Sequence, residues 1–418
     1  MFKFLHTADT HLDSPLRGLE AREEAPVDEI RGATRRAFDH LIDLAIEEDV
    51  DFVLIAGDLY DGDWKDYKTS LFFAGRMGRL AKTGIKVFIV SGNHDAASQI
   101  TKNMPLPDNV TLFSPKKNQS VKLDDLGVII HGQSYSSPAV TENLASQYPQ
   151  HDSNYFNIGL LHTSLTGREG HENYAPCTID DLKSKGYDYW ALGHIHKREV
   201  VSEDPMILFP GNIQGRHIKE TGTKGATLVT VEDGRIVEVE ELDLDVLRWA
   251  ICQVDLSECE TKEAVYEHVR SAMVKEQGLA NGKTLALRLH LEGSCPLHAE
   301  LHARSFQWTE EFRGITASLG DIWLEEVKFR TSRKTSLEEI VGEDSPLSAL
   351  LQAVEVLDFG KDVLTTLVPD LANLKTKLPA ELLDADSILE RSPEELTELR
   401  EEVKELLIAK LIQHGGEA

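Results

Sequence analysis

The sequence predicts an α/β fold in which buried, parallel strands alternate with helices. Residues 52–56 form a short apolar run that is typical of a strand covered on both faces. Residues 31–48 carry apolar side chains at helical spacing and connect this run to an earlier predicted strand at residues 2–7. A second helix, at about residues 68–82, precedes a third strand at residues 85–90. We therefore expect βαβ units with right-handed crossovers.

The composition limits the kinds of partner that this chain can bind unaided. With 418 residues it is long for a single core, so two or three domains are expected. Its net charge is −27, and acidic residues outnumber basic ones both before and after residue 250. A broad basic face for nucleic acid is therefore excluded. Either the substrate is not nucleic acid, or bound cations and a partner supply the missing positive charge.

Neither the cysteines nor the hydropathy pattern indicates secretion or a membrane. The four cysteines have no metal-like spacing and are expected to be reduced, buried thiols: Cys177, Cys252, Cys259 and Cys295. The first residues are too short and too polar for a signal peptide, and no run approaches the ~18 apolar residues that span a bilayer. We therefore predict a cytoplasmic protein without a membrane partner.

Polar residues follow the predicted strands where each strand ends. Asp9 and His11 follow the first strand, Asp58 follows the second after Gly57, and Asn93 and His94 follow the third. Open α/β sheets bind ligands at this edge. We expect Asp9 and His11 to lie on an extended segment, where both side chains point to the same side in a geometry that suits chelation of one ion. Taken singly, each of these residues is more simply explained as part of a surface turn.

Two more predicted strands end in histidine. The strand at residues 157–161 leads to His162, and the strand at residues 187–192 leads to His194 and His196. The spacing of the last two lets both imidazoles face the same way. A single histidine is usually a surface or core residue, but five strand ends that carry Asp, Asn or His favour a shared site.

These five motifs, in this order, resemble the signature of the calcineurin-like metallophosphoesterases over roughly residues 1–245. The segments around His11, His162 and His194 are similar to those of DNA repair exonucleases of the SbcD type, especially their shorter bacterial relatives. The resemblance implies a four-layer α/β/β/α metallophosphoesterase sandwich, followed by a small α+β capping domain and a helical C-terminal region.

The resemblance also implies a site with two divalent ions. Asp58 would bridge both ions, and the remaining ligands would divide into one set for each ion: Asp9, His11 and His196 for the first, and Asn93, His162 and His194 for the second. His94 would be the catalytic histidine, which stabilises the phosphoryl charge or protonates the leaving oxygen. Mixed oxygen and nitrogen ligation without thiolates favours Mn²⁺, with Fe²⁺ or Mg²⁺ as alternatives.

Asp61 departs from the nuclease pattern. Enzymes of the SbcD type usually carry His three residues after the bridging Asp, whereas metallophosphoesterases at large often carry Asp there, paired with the catalytic His. The resemblance thus implies that Asp61 orients His94 and raises its pKa, or that nucleolytic power is altered. The alternative is a surface carboxylate in a turn.

We expect three domains: a metallophosphoesterase (nuclease) domain at residues 1–245, an α+β capping domain at residues 246–332, and a helical region at residues 333–418. The capping domain has the predicted order strand, helix, strand, helix, strand, and its histidines are expected at the surface: His290, His298 and His302. In the last region Ser392 and Pro393 begin a capping box, and apolar residues follow at helical spacing: Leu396, Leu399, Val403, Leu406, Leu407 and Leu411.

The function implied by the resemblance is two-metal-dependent phosphodiester hydrolysis, as a DNA exonuclease or endonuclease in DNA repair. The implied partners are DNA and an SMC-like coiled-coil ATPase of the SbcC type, gripped by the C-terminal helices, and a homodimer is left open. Two alternatives stay open: a phosphodiesterase or phosphatase on small molecules, which the acidic charge favours, and a weakly catalytic scaffold for the ATPase. The alternative to ATPase docking is that the apolar side chains of the C-terminal region pack on their own domain.

Overall fold

The computed structural model describes residues 1–12, 14, 27–61, 67–97, 106–165, 174–333, 403 and 406. These residues belong to two compact units, which divide between Trp249 and Ala250. The predicted C-terminal region and its capping box lie outside the described residues, apart from Arg333 and from Val403 and Leu406, which are both helical. Among the described residues, no helix has the length and apolar character required to cross a membrane.

The first unit contains the predicted alternation of strands and helices. Its strands are β1 (Phe2–Thr7), β2 (Phe52–Ala56), β3 (Lys86–Val90), β4 (Val110–Leu112), β5 (Gln119–Leu123), β6 (Val128–Gly132), β7 (Phe156–His162), β8 (Tyr189–Gly193), β9 (Glu199–Glu203), β10 (Met206–Phe209), β11 (Gly225–Glu232) and β12 (Arg235–Asp243). Its described helices are α1 (Val27–Glu47), α2 (Tyr67–Lys82), α3 (Asn93–Ala97) and α4 (Ile179–Lys183), and a 3₁₀ turn covers Leu144–Gln147.

These strands form two six-stranded sheets. The first sheet has the order β12-β11-β1-β2-β3-β4, in which β1 to β4 are parallel and β11 and β12 run antiparallel to their neighbours. The second has the order β5-β6-β7-β8-β10-β9, with parallel central strands and antiparallel edges. In both sheets the parallel strands therefore end at a common edge, where ligands bind in open α/β sheets.

Both faces of β2 are covered by a hydrophobic core, which explains why all of its residues are apolar. Phe52 and Leu54 point into the core between the two sheets, where Phe52 stacks on Phe4 with ring centroids 5.1 Å apart. Val53 and Ile55 point the other way, into the core under α1 and α2. Because side chains alternate along a strand, an all-apolar strand is required wherever both faces are covered.

A third core covers the outer face of the second sheet. Trp190 of β8 packs there with Leu182 of α4 and with Tyr148, which follows the 3₁₀ turn. The order of layers in the first unit is thus helix, sheet, sheet and helix. The predicted α/β fold class with two packed sheets is confirmed.

The second unit is a small α+β structure. Its described elements are β13 (Leu247–Asp255), of which the residues from Ala250 onward belong to this unit, α5 (Lys262–Leu279), β14 (Thr284–Ser294), α6 (His298–Ala303), α7 (Ser305–Leu319) and β15 (Ile322–Ser332). The three strands form a sheet with the order β13-β14-β15. Val265 of α5 and Phe312 of α7 share a core with Leu287 of β14. The side chain of Thr261 caps α5 by accepting the N–H of Ala264.

The expectation of surface histidines in this unit is wrong. Only 5%, 2% and 4% of the surfaces of His290, His298 and His302 are exposed. His298 and His302 lie one turn apart on α6, and both contact the hydroxyl of Thr331, at 3.0 and 3.3 Å. The sequence pattern did not predict α6, and without that helix the two imidazoles could not be assigned to one buried face.

Candidate metal centre

The ends of five strands from both sheets converge in the first unit. The imidazole Nδ1 of His162, at the end of β7, lies 2.9 Å from the carbonyl oxygen of Ala56, at the end of β2. The backbone N–H of His194, after β8, donates to both carboxylate oxygens of Asp9, after β1, at 3.1 and 2.9 Å. These contacts bring the strand-end residues of one sheet directly against those of the other.

Three glycines permit this approach. A Cβ at Gly193 would lie 1.8 Å from the carbonyl oxygen of Ala56, and one at Gly92 would lie 2.3 Å from Asp58 Oδ1. A Cβ at Gly57 would lie 2.3 Å from His162 Nδ1, and the φ of Gly57 is +93°. Each glycine directly precedes a candidate ligand. The Gly-Asp, Gly-Asn and Gly-His pairs in the sequence therefore reflect close packing as well as turns.

The backbone around the candidate ligands is unusual. Asp9, His11, Asp58 and His194 all have positive φ, at 49°, 41°, 50° and 105°. Non-glycine residues seldom adopt this region, and strain of this kind is concentrated at functional sites. The expectation that Asp9 and His11 lie on an extended segment is therefore wrong, because the chain leaves β1 through left-handed residues.

The donor atoms form two groups whose members lie within 4.8 Å of one another: Asp9, His11 and His196, and Asp58, His162 and His194. His194 and His196 thus belong to different groups, so the interpretation that both imidazoles can face the same way does not hold. The positive φ of His194 breaks the alternation on which it depended. Asn93 lies beside the second group, with its Oδ1 3.0 Å from His162 Nε2.

The distances within the groups fit metal ligation. His11 Nε2 and His196 Nε2 lie 3.2 Å apart, and His162 Nε2 lies 3.5 Å from Asp58 Oδ2. Two nitrogen ligands about 2.1 Å from one ion are about 3 Å apart when they meet it at right angles. The two groups adjoin, since Asp9 of the first accepts the backbone N–H of His194 of the second.

The protonation states also fit a cation. Burial holds the pKa of His11 well below its usual value, lowers that of His196, and lowers that of His162 to about 3. These imidazoles are therefore neutral, which is the form that binds metals. Burial, followed by the charge of Asp58, raises the pKa of Asp9 well above its usual range. Burial also raises the pKa of Asp58, against the charge and the N–H of His94. Ionisation of such buried carboxylates becomes favourable once a cation shares the site.

Asp61 lies against the predicted catalytic histidine. Its Oδ1 is 2.9 Å from His94 Nδ1 and 3.6 Å from His11 Nδ1, and its Oδ2 accepts the hydroxyl of Ser14 at 2.5 Å. Burial opposes ionisation of Asp61, but the adjacent His11 and His94 and the guanidinium of Arg216 hold its pKa well below the usual range. Only 18% of the Asp61 side chain is exposed, so the alternative of a surface carboxylate in a turn does not hold.

The partners of Asp61 form a third cluster. The donor atoms of His11, Asp61 and His94 also lie within 4.8 Å of one another. The side chain of His94 is 38% exposed, whereas that of His11 is fully buried. Of these three residues, His94 is thus the most accessible to solvent or a substrate.

Sequence patterns gave no role to three further residues at this site. Asp95 accepts backbone N–H groups of Leu59, Tyr60 and Gly92, and so joins the segment after β2 to the turn after β3. Burial and the charge of Asp58 raise the pKa of Asp95 to about 7. Its only sequence signal was its position directly after the Asn93-His94 pair.

Sequence patterns did not single out Arg216 or Glu220. Both lie between β10 and β11, and Glu220 Oε1 is 2.7 Å from His196 Nδ1. Arg216 forms an ion pair with Glu220 at 2.9 Å. Their spacing of four residues is common in any chain, so no sequence signal distinguished them.

Known proteins resemble this chain in both units. The family model for calcineurin-like phosphoesterases matches residues 2–198, and the model for the middle domain of metallophosphoesterase YhaO matches residues 249–332. The chain is 41% identical to the uncharacterized metallophosphoesterase YhaO of Bacillus subtilis (strain 168) over 297 residues, which are 70% of this chain and 72% of YhaO.

Two DNA double-strand break repair proteins named Mre11 are also similar. The Sulfurisphaera tokodaii protein is 30% identical over 260 residues, 58% of this chain and 63% of that protein. The Sulfolobus acidocaldarius protein is 24% identical over 362 residues, 82% of this chain and 89% of that protein. With the two-sheet fold and the site described above, these similarities confirm the predicted relationship: the chain belongs to the calcineurin-like metallophosphoesterase family and is homologous to YhaO and to the Mre11 repair proteins.

Proposed function

We propose that this chain is a two-metal-dependent phosphodiester hydrolase that cleaves DNA, as an exonuclease or an endonuclease, in DNA repair. The observation that carries this proposal is the pair of adjoining donor groups around Asp9 and Asp58, with the half-exposed His94 beside them. Two divalent ions in such a site stabilise the charge on a phosphodiester and lower the pKa of a bound water. Mixed carboxylate and imidazole donors support Mn²⁺ as the cofactor, with Fe²⁺ and Mg²⁺ as alternatives.

Each side chain has a proposed role. Asp9, His11 and His196 would hold the first ion, and Asn93, His162 and His194 would hold the second. The carboxylate of Asp58 would be shared by both. The burial of the carboxylates and the neutrality of the imidazoles support these assignments.

His94 is the proposed general acid. Its Nδ1 is held by Asp61, which leaves Nε2 to donate a proton to the leaving oxygen or to stabilise the phosphoryl charge. Its exposure allows this contact, since 38% of the side chain is open to solvent. Asp61 therefore acts on the substrate through His94 and not by direct contact.

DNA is the proposed substrate although the net charge is −27. Similarity to two DNA double-strand break repair proteins supports this choice. A separate second unit after the metallophosphoesterase unit suits a polymer that must be positioned. We propose that an SMC-like ATPase of the SbcC type docks on the C-terminal region, residues 333–418, in the cytoplasm and supplies the long cationic surface that binds DNA.

A cleavage assay tests this proposal. The purified chain is incubated with end-labelled linear DNA, with bis-p-nitrophenyl phosphate and with p-nitrophenyl phosphate, in Mn²⁺ or EDTA and with or without the ATPase. We expect Mn²⁺-dependent cleavage of DNA and of the diester, both lost in His94→Ala. Hydrolysis of the small esters alone, even with the ATPase, would favour the small-molecule alternative, and binding of the ATPase without any hydrolysis would favour a scaffold.

A further inference from the structure

We infer that Arg216 is a positioning residue for the first metal position. Its guanidinium holds Asp61 and Glu220, the two carboxylates that orient the imidazoles of His11 and His196. The inference rests on the proposed function, because it takes those imidazoles to be metal ligands. It concerns a residue that lies outside the five strand-end motifs.

Glu220 orients His196. Its Oε1 lies 2.7 Å from His196 Nδ1, and its side chain is 5% exposed. Its Oε2 is fixed by the amide Nδ2 of Asn212 at 2.9 Å and by the backbone N–H of Arg216 at 2.8 Å. A histidine that binds a metal normally donates its other ring N–H to a carboxylate, which fixes the tautomer and the direction of the ring. With Nδ1 protonated, Nε2 of His196 faces His11 Nε2 at 3.2 Å.

Asp61 is placed to do the same for His11. Its Oδ1 lies 3.6 Å from His11 Nδ1, which is buried and makes no hydrogen bond with any of the described residues. Both imidazoles of the first donor group thus have a carboxylate at Nδ1 and turn Nε2 inward.

Arg216 joins the two carboxylates. Its Nη2 donates to Glu220 Oε1 at 2.9 Å and its Nε lies 3.4 Å from Oε2, a two-point contact, while its Nη1 lies 3.8 Å from Asp61 Oδ2. Only 13% of the Arg216 side chain is exposed, so it is held within the protein instead of extending toward a substrate. Two buried carboxylates without this cation would repel each other and would lose their fixed geometry.

Positioning and simple electrostatics predict opposite effects on metal affinity. A guanidinium beside a metal site repels cations, so its removal should tighten binding if charge were all that mattered. If Arg216 acts by positioning, its removal should weaken binding about 10- to 100-fold, the usual loss when a partner of a metal ligand is changed. A residue that only contacted substrate would leave the affinity for the metal unchanged.

The test measures binding of Mn²⁺ alone to the metal-free full chain, from the electron paramagnetic resonance signal of free Mn²⁺. Wild type is compared with Arg216→Gln, which removes the charge, and with Arg216→Lys, which keeps the charge but cannot make the two-point contact. The matched control is Arg288→Gln. Arg288 also contacts two carboxylates, Glu325 at 2.7 Å and Glu326 at 2.9 Å, and is 18% exposed, but it lies in the second unit.

We expect wild type and Arg288→Gln each to bind two Mn²⁺, and we expect the affinities of the variant to equal those of wild type. Arg216→Gln and Arg216→Lys should each lose about 10- to 100-fold at one of the two positions. Unchanged or tighter binding in either Arg216 variant overturns the inference. Thermal unfolding of the metal-free proteins shows whether each variant is folded, and if Arg216→Gln is not, Arg216→Lys decides the result because it keeps the buried charge.

This test is independent of DNA cleavage. If wild type binds two Mn²⁺ and cleaves no DNA, the proposed nuclease function fails, while the affinities of the Arg216 variants still decide the inference. If wild type cleaves DNA and the Arg216 variants bind Mn²⁺ as wild type does, only the inference fails.

Discussion

His94 Nδ1 lies 2.9 Å from Asp61 Oδ1, and the same oxygen lies 3.6 Å from His11 Nδ1. One carboxylate thus contacts both the proposed general acid and a proposed metal ligand. Nucleases of the SbcD type usually carry His at the position of Asp61. The contacts of Asp61 correspond instead to the pairing of Asp with the catalytic His in metallophosphoesterases at large, and they support a competent acid in this chain.

Asp61→Asn should move the alkaline limb of the pH-rate profile to lower pH. Burial lowers the pKa of His94, but the hydrogen bond to Asp61 and the charges of Asp58 and Asp61 together outweigh it, so that the net pKa is raised. A general acid must be protonated, so the rate falls as the pH rises through its pKa. Without the Asp61 charge the pKa of His94 drops, and the rate begins to fall at a lower pH. The profile of kcat for bis-p-nitrophenyl phosphate measures this shift, and a limb that stays in place would show that it belongs to another group.

Asp58→Asn should lower metal occupancy at both positions and abolish phosphodiester cleavage. A neutral amide cannot bridge two cations as a carboxylate does. Mass spectrometric metal analysis of the dialysed protein gives the occupancy, and the diester assay gives the rate. A variant that retained two ions and turned over normally would refute the two-metal interpretation.

His94→Ala should retain both ions and lose most of the rate. A positioned general acid contributes about 10²–10⁴-fold, and His94 is proposed to lie outside the ligand set. Metal content and kcat are measured on the same preparation. Loss of metal would instead identify His94 as a ligand, as its proximity to His11 and Asp61 allows.

Gly92→Ala should disrupt metal binding, because the added Cβ would lie 2.3 Å from Asp58 Oδ1 and 2.8 Å from the ring of His162. Gly78→Ala is the control, since Gly78 lies within α2 and, apart from its chain neighbours and the nearby helix backbone, none of the described residues has an atom within 4 Å of an added Cβ. It should raise stability by about 0.5–1 kcal/mol, as Ala is favoured over Gly in helices. Mn²⁺ titration and thermal unfolding compare the two, and normal Mn²⁺ affinity in Gly92→Ala would contradict the packing argument.

A double change of Leu399 and Leu406 to Glu should abolish binding to the ATPase. Burial of a Leu contributes about 1.5–3 kcal/mol, so two charges in a docking seam should weaken binding by several orders of magnitude. Leu406 is helical and partly buried, and Leu399 lies outside the described residues. Pull-down with the ATPase measures the effect.

Controls separate docking from folding in this variant. Hydrolysis of bis-p-nitrophenyl phosphate should persist, because the proposed ligands all lie in the first unit. DNA affinity should fall if the partner supplies the cationic surface. Circular dichroism must show a folded variant, and a folded variant that binds the ATPase and DNA normally would exclude the tail as the docking element.

The fold class of the first unit, and the strand ends that carry polar residues, could be predicted from the sequence alone. The apolar run of β2 and the helical spacing in α1 are local patterns, which predict an element and the faces it buries. Glycine before Asp58, Asn93 and His194 indicated turns at the same edge of the sheets. These signals are local because strand length, periodicity and turn residues depend on near neighbours in the chain.

The family resemblance implied which polar residues share an ion, but strand alternation did not, and the physical cause of the grouping is visible only in the folded chain. Positive φ at His194 sends it and His196 to different donor groups, which the alternation of an extended strand could not predict. Glu220 meets His196 across 24 residues, and Arg216 meets Asp61 across more than 150, through a loop without periodic pattern. Such contacts are set by the path of the backbone between the elements and by the space that Gly57, Gly92 and Gly193 leave open, so they appear only when both sheets are packed together.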